Sequence, residues 1–119
     1  MLPAIDGVRL ERCATGHLRE AYPAGAHDVE VRVSPAVTGE AMTRLLQDTT
    51  DAVARADPAC RRLVCPVPEG DLDRMAAAES AGYRYVVDVD LPGEQLSLLV
   101  HEPDWVTRTD MDLGHVPGS

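Results

Sequence analysis

Residues 29–56 read VEVRVSPAVTGEAMTRLLQDTTDAVARA and contain a clear strand pattern followed by the longest amphipathic helix pattern of the chain. Its first five residues alternate valine with charged side chains, which predicts a strand with the valines on one face. Pro35 ends the strand because it has no N–H to donate. After Thr38, apolar side chains recur every three or four positions, which predicts a long amphipathic helix over 40–56. A strand, a turn carrying Gly39 and a helix start form a place where backbone N–H groups can meet a phosphate.

The composition narrows the class of protein. The 119 residues carry a net charge of −9, from 20 acidic side chains and 11 arginines with no lysine, which argues against nucleic acid or an anionic membrane as partner. No apolar run approaches the ~18 residues of a membrane helix, and the N-terminus lacks a signal-peptide pattern. Three cysteines without metal-ligand spacing and four scattered histidines predict a cytoplasmic protein with no metal site.

The rest of the chain alternates strands with helices. A second helix is predicted at 72–81, with Asp71 as its N-cap and Gly82 as a left-handed residue at its end. Pro92-Gly93 predicts a tight turn, so the last two strands form a C-terminal β-hairpin. The order favours an α/β (α+β) mixed sheet of about five strands with two main helices. The four further predicted strands are 8–13, 62–67, 83–91 and 95–101.

Residues 1–103 are predicted to form a single domain. Within it, residues 14–28 contain glycine and proline at short intervals and are predicted to be a loop with at most a short helix. Residues 104–119 lose all periodicity, which predicts a mobile C-terminal tail.

Tyrosine, arginine and aspartate side chains on the strand at 83–91 are candidates for a catalytic role, but a structural role explains each of them more simply. Tyr83 and Tyr85 are predicted to be core or sheet-face residues. By the two-residue period of a strand, Arg84 shares a face with Asp88 and Asp90 and offsets part of their charge. An acidic pair on an outward face is more often a solvated surface than a catalytic site.

Residues 77–100, AAESAGYRYVVDVDLPGEQLSLLV, resemble the end of a GNAT-type N-acyltransferase. In that family a helix ends in an Ala-Gly-aromatic turn, here Ala81-Gly82-Tyr83, and leads into a hairpin. The resemblance extends back to residues 29–56, which match the cofactor-binding strand, loop and helix of the family. It implies a shortened GNAT-like fold with acetyl-CoA or CoA as cofactor.

The resemblance also implies where that cofactor binds. In the family, the pyrophosphate rests on N–H groups of a loop that starts with Arg or Gln and carries small residues three and five positions later. Here Ala36 replaces the polar lead, Gly39 and Ala41 keep the small residues, and Glu40 adds an acid. The pantetheine arm pairs with the cofactor strand. The implied cofactor-binding residues are Val31, Val33, Thr38, Gly39, Glu40, Ala41 and Met42.

The catalytic positions of the family match less well. A Tyr general acid often stands four residues before the glycine of the helix-ending turn, and this chain has Ala78 there. Glu30, on the cofactor strand, is the candidate general base that would deprotonate an amine through water. The alternative is that Glu30 lies on the solvent face of its strand, as alternating charges usually do.

Between the first strand and the cofactor strand, the family carries two helices and two strands that wall the acceptor side. Residues 14–28 are too few for those elements, so a second chain would complete the groove, and bare apolar sheet would favour association. We therefore expect a homodimer. Two functions stay open: an acyl-CoA-binding protein that transfers an acetyl group to a small amine, and a non-catalytic GNAT-like dimerisation or protein-interaction module. An unrelated small α/β binding domain is a third.

Overall fold

The computed structural model describes residues 2–13, 27–60 and 62–102. Every strand and helix predicted from the sequence is present, with ends that differ by at most one residue. The elements are β1 (Val8–Arg12), β2 (Val29–Val33), α1 (Gly39–Ala56), β3 (Leu63–Pro68), α2 (Leu72–Ser80), β4 (Arg84–Leu91) and β5 (Glu94–His101). Most of the predicted loop 14–28, and the predicted tail 104–119, lie outside the described residues.

The five strands form one mixed sheet in the order β1-β2-β3-β5-β4. β2 and β3 run parallel because α1 crosses over between them, while β1 is antiparallel to β2. β5 lies antiparallel between β3 and β4. The last strand is therefore inserted into the sheet, and β4 is the outermost strand on its side of the described sheet. This confirms the predicted mixed sheet with two helices and a C-terminal hairpin.

Both helices pack on one face of the sheet, which contains the larger core. The valines of β2 point to this face, as their alternation predicted. Met42, Leu46 and Val53 contact them from α1 at helical spacing and are fully buried. A second apolar cluster on the opposite face comprises Cys13, Val64, Val89, Leu96, Leu98 and Val100.

The two helix starts differ in how they are capped. Asp71 caps α2 as predicted, because its Oδ1 accepts the backbone N–H of Arg74 at 3.2 Å. Thr38 occupies the N-cap position of α1 with extended backbone, but its side chain makes no capping hydrogen bond. The N–H groups at the start of α1 are therefore not covered by the Thr38 side chain. In the described part of the chain, neither helix combines the length and apolar character needed to cross a bilayer.

The predicted common face of Arg84 with Asp88 and Asp90 is wrong. A register shift early in β4 interrupts its pairing with β5. Such a bulge inserts one residue, so the side chains that follow it point to the other face. Arg84 instead pairs with Glu102 at 2.9 Å. Asp88 accepts a hydrogen bond from the Ser97 hydroxyl at 2.6 Å.

Candidate functional site

The candidate site lies in a gap between the parallel strands β2 and β3. Two residue pairs join these strands, Val29 with Leu63 and Glu30 with Val64. Both strands continue beyond that point, to Val33 and to Pro68 respectively, without further pairing to each other. The sheet is therefore open between the ends of two adjacent strands.

Two prolines in β3 explain why pairing stops. Arg62 accepts the N–H of Val29 through its carbonyl, at 3.0 Å, so its backbone polar groups face β2. Because these groups alternate sides along a strand, those of residues 64, 66 and 68 face β2 as well. Pro66 and Pro68 have no N–H to donate at these positions. They cannot complete the hydrogen-bond ladder toward β2.

The opposite wall of the gap is the backbone of β2. Val29 donates its N–H toward β3, and the same alternation turns the backbone polar groups of Val31 and Val33 to that side. Their side chains are buried in the core on the helix face. These two predicted cofactor-binding residues therefore present backbone groups, and not side chains, to the gap.

A cavity of about 590 Å³ occupies the gap. The starts of α1 and α2 meet at this cavity, through Gly39 and Asp71, so the positive ends of two helix dipoles converge there. Arg32 and Arg74 bring positive charge to its wall, and Asp71, Asp73 and Glu94 bring negative charge. The arrangement can accommodate an extended ligand with an anionic group near the helix starts.

A second hollow of about 660 Å³ adjoins the first between α1 and α2. Thr38 and Gly39 line both spaces, and Glu40 lines the second. Gly39 has a φ of +58° and no atom within 4 Å of the position a Cβ would take. A ligand can therefore approach the backbone closely at Gly39. Most residues other than glycine would strain the backbone at this positive φ.

The remaining predicted loop residues divide into exposed and buried ones. Glu40 and Ala41 are exposed in the first turn of α1. Met42 is fully buried in the core, and its N–H already donates to the Thr38 carbonyl at 3.3 Å. Met42 therefore offers no group to the cavity, unlike the residues that precede it.

Glu30 does not lie on a solvent face, because it is 1% exposed. Arg32 donates from Nε to Glu30 Oε2 at 3.0 Å and from Nη1 to Glu94 Oε1 at 2.8 Å. Burial alone lowers the pKa of Arg32, but the hydrogen bond to Glu94 and the charge of Glu30 outweigh it and raise this pKa overall. A fixed cation thus holds the Glu30 carboxylate, which is not itself among the groups that line the cavity.

Sequence reasoning missed Arg74, which lies in the first turn of α2. Its guanidinium donates to three backbone carbonyls of the segment leading into α1. Nη1 binds the carbonyl of Val37 at 2.9 Å, and Nη2 binds those of Val33 at 3.1 Å and Ser34 at 3.4 Å. The contacts span about forty positions of sequence, so no local pattern marks them.

No described tyrosine is placed as a proton donor at the cavity. Ala78, at the family's Tyr position, is fully buried. Tyr83 is 3% exposed and its hydroxyl bonds Thr50 at 2.9 Å. Burial raises the pKa of Tyr83, so the hydroxyl stays neutral. Tyr85 is 44% exposed on β4, as a sheet-face residue.

The three cysteines are free and buried. Burial raises the pKa of Cys13 and Cys65 to about 12 and that of Cys60 to about 11, so none is an activated thiolate. Cys65 is fully buried and packs in the core on the helix face of the sheet. Among the described residues, no cluster of three His, Cys, Asp or Glu side chains is suited to hold a metal ion.

No protein-family model and no curated protein matches this chain, but solved structures do. An uncharacterized protein (bh2621) from Bacillus halodurans is 16% identical with a TM-score of 0.70, over 87% of this chain and 55% of that one. Aminoglycoside acetyltransferase AAC(6')-Ib, in complex with coenzyme A and kanamycin, is 15% identical with a TM-score of 0.59, over 74% and 53%. Its complex with paromomycin and acetyl-CoA matches with the same TM-score and identity, over 73% and 51%.

At these identities the likeness concerns the fold alone. The chain has the GNAT-like fold that the resemblance at residues 77–100 implied. It spans about half the length of the solved structures it matches.

Proposed function

We propose that this protein binds an acyl-CoA in the gap between β2 and β3. The observation that carries the proposal is the limit of two residue pairs between these strands, with the start of α1 at the mouth of the opening. The backbone groups of Val31 and Val33 suit a pantetheine amide chain, and the N–H groups at Gly39 suit a pyrophosphate. Proteins of the same fold have been solved with CoA and acetyl-CoA, which supports this class of ligand.

The reaction that this arrangement supports is acyl transfer to a small amine. The amine nitrogen attacks the thioester carbonyl carbon and loses its proton to Glu30, directly or through one water. The carbon–sulfur bond then breaks, and the departing CoA thiolate takes a proton from solvent. The Val33 N–H, turned into the gap, stabilises the negative charge that develops on the carbonyl oxygen. Arg32 holds Glu30 in place by the 3.0 Å contact.

A thermal-shift titration with CoA and acetyl-CoA tests the cofactor. Ligand at a hundred times its Kd stabilises the folded state by about 2.7 kcal/mol and raises Tm by several degrees. Gly39→Asp places a carboxylate where the pyrophosphate would lie and should abolish the shift. Gly93→Asp is the matched control, because Gly93 also has a positive φ and open space around it. An absent shift for the wild-type protein at millimolar ligand would contradict acyl-CoA binding.

Transfer is tested separately from binding. Release of CoA from acetyl-CoA should be measured over a panel of small amines, with Glu30→Gln as the variant. We expect a drop of about a hundredfold or more in the acylation rate for this variant, since a positioned general base contributes at least that much. An unchanged rate in Glu30→Gln would remove Glu30 as the base while leaving the cofactor site intact.

The second candidate function is a non-catalytic homodimerisation or protein-interaction module. The feature that favours it is strand β4, the outermost strand on its side of the described sheet, where Tyr85, Val86 and Val87 are 44%, 40% and 39% exposed. Arg84 stands at one end of this strand and Asp90 near the other. These two side chains point to opposite faces of the sheet, so the contact with a second copy would rest on the exposed apolar side chains between them.

Light scattering at micromolar concentration tests the proposed homodimer. Val87→Arg should shift the protein to a monomer, because it places a charge among the exposed apolar side chains of β4. Leu72→Arg is the matched control, since Leu72 is 72% exposed but lies on α2. A wild-type monomer would exclude the dimer.

We also propose a cytoplasmic location, for which the free, buried cysteines are suited.

A further inference from the structure

Arg74 joins the starts of the two helices. Its backbone N–H donates to the capping carboxylate of Asp71 at 3.2 Å, which fixes the residue in the first turn of α2. Its side chain crosses to the segment before α1 and donates to the carbonyls of Val33, Ser34 and Val37. The residue is therefore held at both ends, by α2 and by the loop of the proposed cofactor site.

These contacts set the direction of peptide groups where α1 begins. In a trans peptide, a carbonyl and the N–H that follows it point in opposite directions. Because the Val37 carbonyl is turned toward Arg74, the N–H of Thr38 is turned away from it. The first N–H groups of a helix have no partner within the helix, and the Thr38 side chain does not cap those of α1. Arg74 thus helps to fix the N–H of Thr38, next to the first N–H groups of α1.

The charge of Arg74 also matters at this cavity. Arg32 already contacts two carboxylates, those of Glu30 and Glu94. The three acceptors of the Arg74 guanidinium are neutral carbonyls, which leave its positive charge to act on the cavity. Asp71, Asp73 and Glu94 line the same space and would repel an anion. A cation at Arg74 offsets part of that repulsion.

We infer that Arg74 is the positioning residue for the ligand pyrophosphate. It is supplied from α2 and replaces the polar side chain that the loop lacks at Ala36. This inference rests on the proposed acyl-CoA function. Arg74 acts through the loop: it orients the peptide groups that receive the phosphates and adds positive charge behind them. The planar guanidinium uses two separate nitrogens, Nη1 for Val37 and Nη2 for Val33 and Ser34, and the single compact ammonium of a lysine lacks that fixed span.

The test compares Arg74→Ala and Arg74→Lys with the wild-type protein. Arg55→Ala is the control, because Arg55 is an exposed arginine in the last turn of α1, at the end away from the cavity. Binding of CoA and of pantetheine, which lacks the pyrophosphate, is measured by calorimetry or by NMR titration. Hydrogen exchange of residues 34–41 is measured without ligand. Circular dichroism and a melting curve establish that each variant is folded.

We expect Arg74→Ala to raise the Kd for CoA about tenfold and to change that for pantetheine less than twofold. Its amides at 34–41 should exchange faster, and Arg74→Lys should behave like Arg74→Ala. Equal weakening of CoA and pantetheine, or wild-type behaviour of Arg74→Lys, would overturn the inference. If hydrogen exchange at residues 34–41 is unchanged in Arg74→Ala, that result alone would overturn the claim that Arg74 orients the loop. Absence of CoA binding by the wild-type protein would overturn the proposed function and the pyrophosphate role, independently of that exchange result.

Discussion

The two sides of strand β3 show how this sheet forms a binding gap. Toward β5, all six residues of β3 are paired, from Leu63 to Pro68. Toward β2, two of the six are paired. Both prolines fall at positions whose backbone faces β2, so the ladder to β5 loses no donor. One strand thus completes the sheet on one side and opens it on the other, by the placement of Pro66 and Pro68.

High pH should produce the largest effect, and it acts on the paired region. Cys65 of β3 has its pKa raised by burial to about 12, against an ordinary value of 9.0. Above pH 9 the thiol ionises in the unfolded chain but stays neutral in the folded one, so the folded state loses stability as pH rises. We expect the free energy of unfolding to fall by about 1.4 kcal/mol per pH unit for each such buried thiol.

Urea denaturation at intervals from pH 8 to 11 measures this slope. Cys65→Ala should make the fall in the free energy of unfolding per pH unit smaller, whatever effect the variant has on stability at neutral pH. Cys13 and Cys60 have raised pKa values for the same reason, burial, so some slope should persist in the single variant. The same slope in Cys65→Ala and in the wild-type protein would show that Cys65 does not remain neutral in the folded state.

Closing the gap should weaken ligand binding with little effect on stability. Pro66→Val restores an N–H on the side that faces β2, which allows another rung of the β2–β3 ladder. We expect a rise of about tenfold in the Kd for CoA, because the ligand must then compete with a strand hydrogen bond. The free energy of unfolding should change by less than about 1 kcal/mol, since the added hydrogen bond offsets the lost rigidity of proline.

The measurements are calorimetric binding and hydrogen exchange at Val31 and Val33. Pro58→Val is the control, because Pro58 is exposed in the turn after α1 and belongs to neither strand. Unaltered exchange at these two valines in Pro66→Val would mean that proline is not what holds the strands apart.

The smallest effect should come from capping α1. Thr38→Asp adds a carboxylate that accepts from the N–H groups at the helix start, where the Thr38 side chain now makes no capping hydrogen bond. The variant should gain about 0.5–1 kcal/mol of stability, measured by urea denaturation. It should also lose affinity for CoA, because the new carboxylate competes with the pyrophosphate. A gain in stability without loss of CoA affinity would place the anion elsewhere.

Much of the fold could be predicted because its signals are local. The alternation of Val29, Val31 and Val33 and the helical repeat that follows gave β2 and α1 within a residue of their ends. Asp71 and the Pro92-Gly93 turn marked a helix start and a hairpin by their own chemistry. These features depend on neighbours in sequence, so the chain alone specifies them.

The site was less predictable because its contacts are distant in sequence. Glu30 and Arg32 are two positions apart on β2, but the bond from Arg32 to Glu94 joins residues 62 positions apart and depends on the packing of the C-terminal hairpin. The register shift in β4 arises from pairing between strands, and a count of alternating residues does not reveal it. Arg74 reached the loop only through the packing of α2 on α1.

The strands, the helices and the glycine turn at residues 29–56 follow from local sequence, because propensity, periodicity and capping act over a few residues. The sequence also placed two prolines in β3. Tertiary structure decided that those prolines face β2 and that two helix starts converge on the resulting gap. It also set Arg74 against the loop in which Ala36 has no polar side chain. These outcomes depend on the strand order and helix packing that bury the common core, and no single segment encodes them.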